Sequence, residues 1–372
     1  APTTCRDMPM HPALDTLLLA FSADEPVPVP ERALFLGARP HPVLHGWPEI
    51  VGWQPVKPLA DDWDRAGFPR VAEPAGLWPM VMVLPGKSRD ETLAWFAMAH
   101  DHLLPGGRIV CAMPNTAGAA RFEKEFAKAT GSVTSIQKHK CRAFHAVADG
   151  TWNGKLLDGW REAGIPRLIP ETGFITQAGV FSHGRIDPGS RLLAAQLPPG
   201  LRGHIADFGA GWGYLADAAL SRCPAIRRID LFEADSRSLA CARQNLARHL
   251  ACEHPSDLPP AHSSTQARVC FHWHDVTTGV PETYDAILMN PPFHSGQETD
   301  VDLGRAFLET AAAALKRHGK IHLVANRQLP YEAVLDSLRL VWRKVAEDST
   351  YKVLFAERGQ SALVRAGARV SG

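Results

Sequence analysis

Residues Asp285–Gly296 read "DAILMNPPFHSG". Apolar side chains run unbroken from Ala286 to Met289, the pattern of a strand buried on both faces. Proline cannot donate to a sheet ladder, so Pro291 and Pro292 must end that strand at about Met289. The residues after it form a stiff loop at the carboxyl edge of a sheet, where open α/β folds bind their ligands.

Outward from this loop, strands and helices alternate. "GHIADFGAGWGYLADAALS" reads as strand, glycine-rich turn and helix, and "RRIDLFEADSRSLACARQNLARHL" as a strand ending in acid, then a helix. "ARVCFHWHDV" is another strand, and "GRAFLETAAAALKRHGKIHLVANRQ" is a helix, a turn at Gly319 and a strand. The first half has the same alternation. "ALFLGA" (Ala33–Ala38) and "LWPMVMVLP" (Leu77–Pro85) are strands, and "DETLAWFAMAHDHL" (Asp90–Leu103) is a helix. "GGRIVCAMPN" is a strand, "AARFEKEFAKATG" a helix closed by Gly131, and "SIQKHKCRAFHAV" a basic strand. This predicts an α/β protein of two tandem Rossmann-like domains with mainly parallel sheets. The expected division is residues 1–160, a connection at 161–178 rich in Pro and Gly, and residues 179–372.

The halves can be laid over each other. Pro105–Asn115 parallels Arg317–Arg327, each after an amphipathic helix that itself follows a strand ended by Pro. "FLGARPHP" parallels "DFGAGWGY" without its second and third glycines, and "LPGK" stands where "NPPF" stands later. Two readings fit: the general likeness of α/β domains, or a duplication in which only the second copy kept its chemistry.

In "IADFGAGWG", Gly209, Gly211 and Gly213 lack the spacing of a dinucleotide pyrophosphate site. They let the chain turn tightly and let a ligand lie against the backbone. With no phosphate to neutralise, the match is an amino-acid-bearing cofactor that meets Asp207 and backbone amides. Glu233, at the end of the next strand, is placed to accept both hydroxyls of a ribose, and Asp275 to accept from an adenine amine.

The second loop completes the chemistry. A nucleobase exocyclic amine is a poor nucleophile because its lone pair is delocalised into the ring. The Asn290 side-chain oxygen and the Pro291 carbonyl can accept its two N–H groups and aim the lone pair at a methyl sulfonium. Pro292 stiffens the loop, and Phe293 can stack on the base, a contact worth about 1–3 kcal/mol.

"GVFSHGRIDPGSRLL" (Gly179–Leu193), "DFGAGWG", "NPPFHSG" and "VANRQLPYE" (Val324–Glu332) resemble the ribosomal RNA small-subunit methyltransferase C family and its large-subunit relatives. The resemblance implies a class I enzyme that uses S-adenosylmethionine to methylate guanine N2 in ribosomal RNA, most directly 16S rRNA. It implies a cofactor site at Asp207, Gly209, Ala210, Gly211, Gly213, Glu233, Asp275 and Asn290. The catalytic loop it implies is Asn290, Pro291, Pro292 and Phe293. Ala210 departs from the Cys that methyltransferases often carry, and "CEHPSDLPPAHSSTQ" (Cys252–Gln266) looks like an insertion. The first half resembles the family's amino-terminal domain, a degenerate methyltransferase copy. Other acceptors keep the fold: large-subunit guanine, adenine N6 or a protein glutamine. A non-catalytic RNA-binding assembly factor is a reading of another class, and it would need a failed cofactor site.

Composition fits these expectations. The 372 residues carry a formal charge of +1, so any RNA contact rests on local basic groups. Candidates are Lys138, Lys140 and Arg142, with Arg185, Arg191 and Arg327 near the site. Seven cysteines without a CxxC pair favour a reducing compartment over a disulfide framework, and the cytoplasm is expected. No stretch is apolar enough to span a membrane. Cys252, His254, His262, Cys270, His272 and His274 fit no common zinc spacing, so no metal is expected. Two similar domains can satisfy their packing within one chain, which favours a monomer.

Overall fold

The computed structural model describes residues 11–23, 25–250, 267–292 and 298–359, with backbone alone at 298–300. The chain divides into two compact units, residues 1–167 with 177–179 and residues 168–176 with 180–372. In the first unit, β1 (Ala33–Leu36), β2 (Ile50–Trp53), β3 (Arg70–Val71), β4 (Trp78–Val83), β5 (Leu103–Pro114), β6 (Thr134–Lys138) and β7 (Cys141–Val147) form one sheet. Its order is β3-β2-β1-β4-β5-β7-β6. The first five strands of that order run parallel, and β7 and β6 pair antiparallel.

Next in the chain is a two-stranded ribbon, β8 (Arg167–Ile169) with β9 (Phe174–Thr176). The stretch expected as a plain connection therefore also holds this ribbon and the end of the helix Gly154–Gly164.

The second unit contains β10 (Gly203–Phe208), β11 (Ile226–Glu233), β12 (Arg268–Trp273), β13 (Tyr284–Met289), β14 (Leu315–Asn326), β15 (Leu340–Glu347) and β16 (Tyr351–Arg358). Their order, β12-β11-β10-β13-β14-β16-β15, repeats that of the first sheet strand for strand. β13 ends at Met289, directly before Asn290 and the two prolines. Successive side chains along it serve opposite layers. Ile287 and Met289 pack with the helices Glu298–Ala313 and Tyr331–Ser337, while Ala286 and Leu288 pack with Pro188–Gln196 and Tyr214–Arg222.

The likeness extends to an irregularity. The register slips between Trp78 and Met80 where β4 meets β5, and between Tyr284 and Ala286 where β13 meets β14. Gly107 and Gly319 occupy the slips, where an added Cβ would lie 2.8 Å from Leu104 O and 2.7 Å from Tyr284 O. The pairs Met80–Arg108 and Ala286–Lys320 reproduce the alignment of Pro105–Asn115 with Arg317–Arg327.

The segment "SIQKHKCRAFHAV", expected as one strand, is the hairpin of β6 and β7. Its turn residues His139 and Lys140 have φ of 50° and 56°. Glycine or asparagine usually marks such a turn, so this sequence conceals it.

Tight packing yields a first prediction. A Cβ on Gly304, in the helix Glu298–Ala313, would lie 1.7 Å from the Oη of fully buried Tyr331. Gly304→Ala should cost about 1–3 kcal/mol through overpacking, seen as a fall of several degrees in Tm. An unchanged Tm would mean that the two helices separate easily.

Candidate active site

Where β10 ends, Gly209, Gly211 and Gly213 take φ of 70°, 53° and 89°, the left-handed region that favours glycine. Two are also held by packing: a Cβ would come within 3.4 Å of the Phe307 ring at Gly209 and 3.3 Å of Ala242 Cβ at Gly213. At Gly211 it would meet nothing within 4 Å, so this glycine borders open space. The cleft there is lined by Gly209, Ala210, Gly211, Trp212, Asn290, Asp187, Ser190 and Phe181, among others.

Two carboxyl groups support the turn. Asp207 is fully buried, and among the described residues neither of its oxygens has a hydrogen-bond partner. Burial pushes its pKa up to about 7, and the nearby Glu233 adds to the rise. Glu233 accepts from Gly211 N at 2.7 Å through Oε2 and from Asp235 N at 2.8 Å through Oε1. Burial also raises it to about 7, against the pull of those two amides. Glu233 thus sets the shape of the glycine turn itself, a task its position at a strand end does not reveal.

Asn290 shows how the second loop is built. Its Nδ2 donates to Asp187 Oδ2 at 2.9 Å and to Ser190 Oγ at 2.8 Å. Asp187 Oδ2 already accepts from Ser190 N, so the amide presents its NH2 there, which fixes the other end as oxygen. That oxygen, Oδ1, is buried and has no partner among the described residues. Asp187 is held in turn as the N-cap of the helix Pro188–Gln196, its Oδ2 also accepting from Ser190 N at 2.8 Å. In sequence, "DPGS" carries only the signal of a capped helix with Pro at its first position.

Phe181 likewise carries no functional signal of its own in the sequence. It lines the cleft with 53% of its surface exposed, and its carbonyl accepts from Trp212 Nε1 at 3.2 Å. Pro291 is buried and Pro292 exposed, while Phe293 lies outside the described residues. Asp275 caps a short 3-10 turn, its Oδ1 accepting from Thr277 N at 2.9 Å and Oγ1 at 2.7 Å. Among the basic candidates, Arg142 is paired with Glu123 and Arg327 with Glu347. Lys138, Lys140, Arg185 and Arg191 are exposed.

The histidine-rich strand is engaged in packing. His272 stacks on Phe232 with centroids 4.6 Å apart, and His274 Nε2 lies 2.6 Å from Gly279 O. His204, Asp230 and Glu282 approach as a metal-ligand trio would, but Arg228 holds both Asp230 oxygens at 2.8 and 2.9 Å. Cys252, His254 and His262 lie outside the described residues. Among the described residues, no helix is long and apolar enough to cross a membrane.

A parallel sheet with an antiparallel end, a glycine turn after its central strand, an acid closing the next strand and Asn-Pro-Pro after the fourth define an S-adenosylmethionine-dependent methyltransferase. The family model for the methyltransferase small domain matches residues 171–355. The ribosomal RNA small subunit methyltransferase C of Pseudomonas paraeruginosa is 31% identical over 320 residues, covering 85% of this chain and 90% of that protein. Its namesake in Psychromonas ingrahamii is 29% identical over 278 residues, 74% of each chain. This chain belongs to the ribosomal RNA small subunit methyltransferase C family. A solved structure, the T. thermophilus 16S rRNA N2 G1207 methyltransferase (RsmC) in complex with AdoMet and guanosine, superposes with a TM-score of 0.74 at 25% identity. The match covers 95% of this chain and 93% of that one.

Proposed function

We propose that this protein methylates the exocyclic N2 of a guanine in 16S ribosomal RNA, with S-adenosylmethionine as donor. The observation that carries the reading is the Asn290 amide, whose NH2 is tied to Asp187 and Ser190 while its oxygen is left as an acceptor. Asn290 Oδ1 and the Pro291 carbonyl accept the two N–H groups of the guanine amine and turn its lone pair toward the cleft. Bound S-adenosylmethionine supplies a methyl group on a sulfonium, already a good leaving group. The loop therefore works by positioning and preorganised polarity, without a strong base.

The open space at Gly211 and the orphaned Asp207 carboxyl fit the cofactor. Asp207, Gly209, Ala210, Gly211, Gly213 and Glu233 would hold it, with Asn290 at the methyl end and Asp275 toward the adenine. Phe293 would stack on the guanine, which must be unpaired or flipped to reach the loop.

Residues 1–160 serve as a degenerate methyltransferase copy for RNA recognition and support, joined by 161–178 to a catalytic domain of residues 179–372. Its counterpart of the glycine turn is packed more tightly: a Cβ on Gly37 would lie 2.3 Å from Leu84 O and 2.8 Å from the Trp95 ring, against 3.4 Å from the Phe307 ring at the equivalent Gly209. We read the protein as a cytoplasmic monomer, which light scattering of purified protein tests.

The test of the reaction uses labelled S-adenosylmethionine with small- and large-subunit particles and their free RNAs from cells lacking the gene. N2-methylguanine in 16S rRNA is the expected product. Label in another nucleoside, in the large subunit or in protein would replace this acceptor.

Asp187 supplies a sharper check. Asp187→Ala should lower kcat about 10- to 100-fold by freeing the Asn290 amide, and lower Tm through the lost cap, typically worth about 1 kcal/mol. Asp187→Asn should restore most of both, because one oxygen already accepts from Ser190 N and Asn290 Nδ2. Equal kcat in all three proteins would remove Asp187 from the positioning of Asn290.

A further inference from the structure

Beyond the cleft, the second sheet has a groove of about 230 Å³ on its antiparallel end, lined by Lys320, His322, Trp342, Arg343, Phe355 and Glu357, among others. His322 forms its floor. The residue is 1% exposed, and among the described residues neither ring nitrogen has a partner. Its ring packs edge-on against Phe355, with centroids 4.2 Å apart. Burial, Lys320 and Arg343 together lower its pKa to about 4, so at neutral pH it has one N–H donor and one bare acceptor.

A buried polar ring without partners is costly unless something else satisfies it. Arg343 lies over the Phe355 ring at 5.4 Å, and among the described residues it forms no ion pair. Lys320 has only a long contact to Glu357, 3.8 Å between two exposed side chains, which is worth little in water. The groove thus combines two available cations at its rim, a neutral donor–acceptor ring at its floor and an aromatic wall.

We propose that this groove is a second nucleotide site, taking an unpaired nucleotide of the RNA strand that carries the target guanine. The base edge meets His322, and the phosphate meets Lys320 and Arg343. A carboxylate from a protein partner would use the cations but could satisfy only the N–H of the ring. A nucleobase edge offers a donor and an acceptor side by side, so it can meet the ring nitrogen that faces the groove whether that nitrogen is the N–H or the bare acceptor. In register His322 pairs with Leu288, two residues before Asn290, so the groove lies roughly 7 Å back along the strands, within reach of one short RNA segment. This rests on the RNA-methyltransferase reading.

The test uses the full-length protein, with Lys320→Gln/Arg343→Gln and His322→Leu as variants. Filter binding to naked 16S rRNA is measured over a salt series, and methyl-transfer kinetics on naked rRNA and on assembled small subunits. The double variant should raise Kd and KM for naked rRNA about tenfold and flatten the salt slope by about two units, with kcat and cofactor affinity unchanged. His322→Leu should weaken RNA binding without lowering Tm, whereas a purely structural histidine would lower Tm and spare RNA binding. Unchanged Kd and salt slope on naked rRNA would overturn the site. A defect confined to assembled subunits would overturn it too, and point to a ribosomal protein. Wild type that binds rRNA but makes no methylguanine would sink the reaction while filter binding still judged the groove.

Discussion

Asn290→Ala is expected to lower kcat for methyl transfer by about 10²–10³-fold, the usual cost of deleting one preorganised polar group at a reacting centre. RNA affinity should change little, because phosphate contacts dominate it. The fall should exceed that for Asp187→Ala, which removes the support of the amide but keeps the acceptor. Asn290→Asp is the sharper variant. It would set a carboxyl at the 2.9 Å contact that Asn290 Nδ2 makes with Asp187. Two carboxylates that close must share a proton or part, so activity should stay low although the side chain is nearly isosteric. Single-turnover assays on 16S rRNA read both effects. Activity of Asn290→Ala within threefold of wild type would move the acceptor role elsewhere in the loop.

The second large effect is on the cofactor. Asp207 and Glu233 have both been pushed up to about 7, mainly by burial. In the unfolded chain they ionise near 3.8 and 4.5. Between those values and about 7 the folded state holds more protons, so their contribution to stability is full at low pH and is lost as pH rises through 7. Cofactor affinity runs the other way. Ammonium and hydroxyl groups bind the ionised carboxylates, so affinity should rise from pH 6 to 8 by up to about tenfold per unit for each coupled proton, then level off. Glu233→Gln should weaken binding about 10- to 100-fold and remove one proton from the coupling. It also costs the Gly211 amide its charged acceptor. Calorimetry in buffers of different ionisation enthalpy measures affinity and proton release together. A flat affinity from pH 6 to 8 would mean both groups are already ionised in the free protein.

Much of this architecture was legible because the decisive residues are punctuation. Pro291 and Pro292 stop a strand wherever they occur, and three glycines at alternate positions force a turn. The alignment of Gly107 with Gly319 was legible too, but the slip in register at both glycines was not, since it shows only where a Cβ would meet the neighbouring carbonyls. Two other kinds of feature stayed hidden. The β6–β7 turn uses His139 and Lys140 in left-handed geometry, so no turn residue announces it. Asp187 and Ser190 look like a helix cap because they are one. Their bonds to Asn290, 103 and 100 residues away, exist only in the folded unit.

The shared slip also makes the two sheets interchangeable parts. Because strand order and register agree through the central strands, the first unit offers a second chassis with the same mounting points. Installing a second cofactor pocket in one chain is then a task of rewriting two connections, after Leu36 and after Val83, while leaving the sheet untouched. The obstacle is local and visible: the Leu84 carbonyl and the Trp95 ring crowd Gly37 at 2.3 and 2.8 Å, where the equivalent Gly209 keeps 3.4 Å from the Phe307 ring.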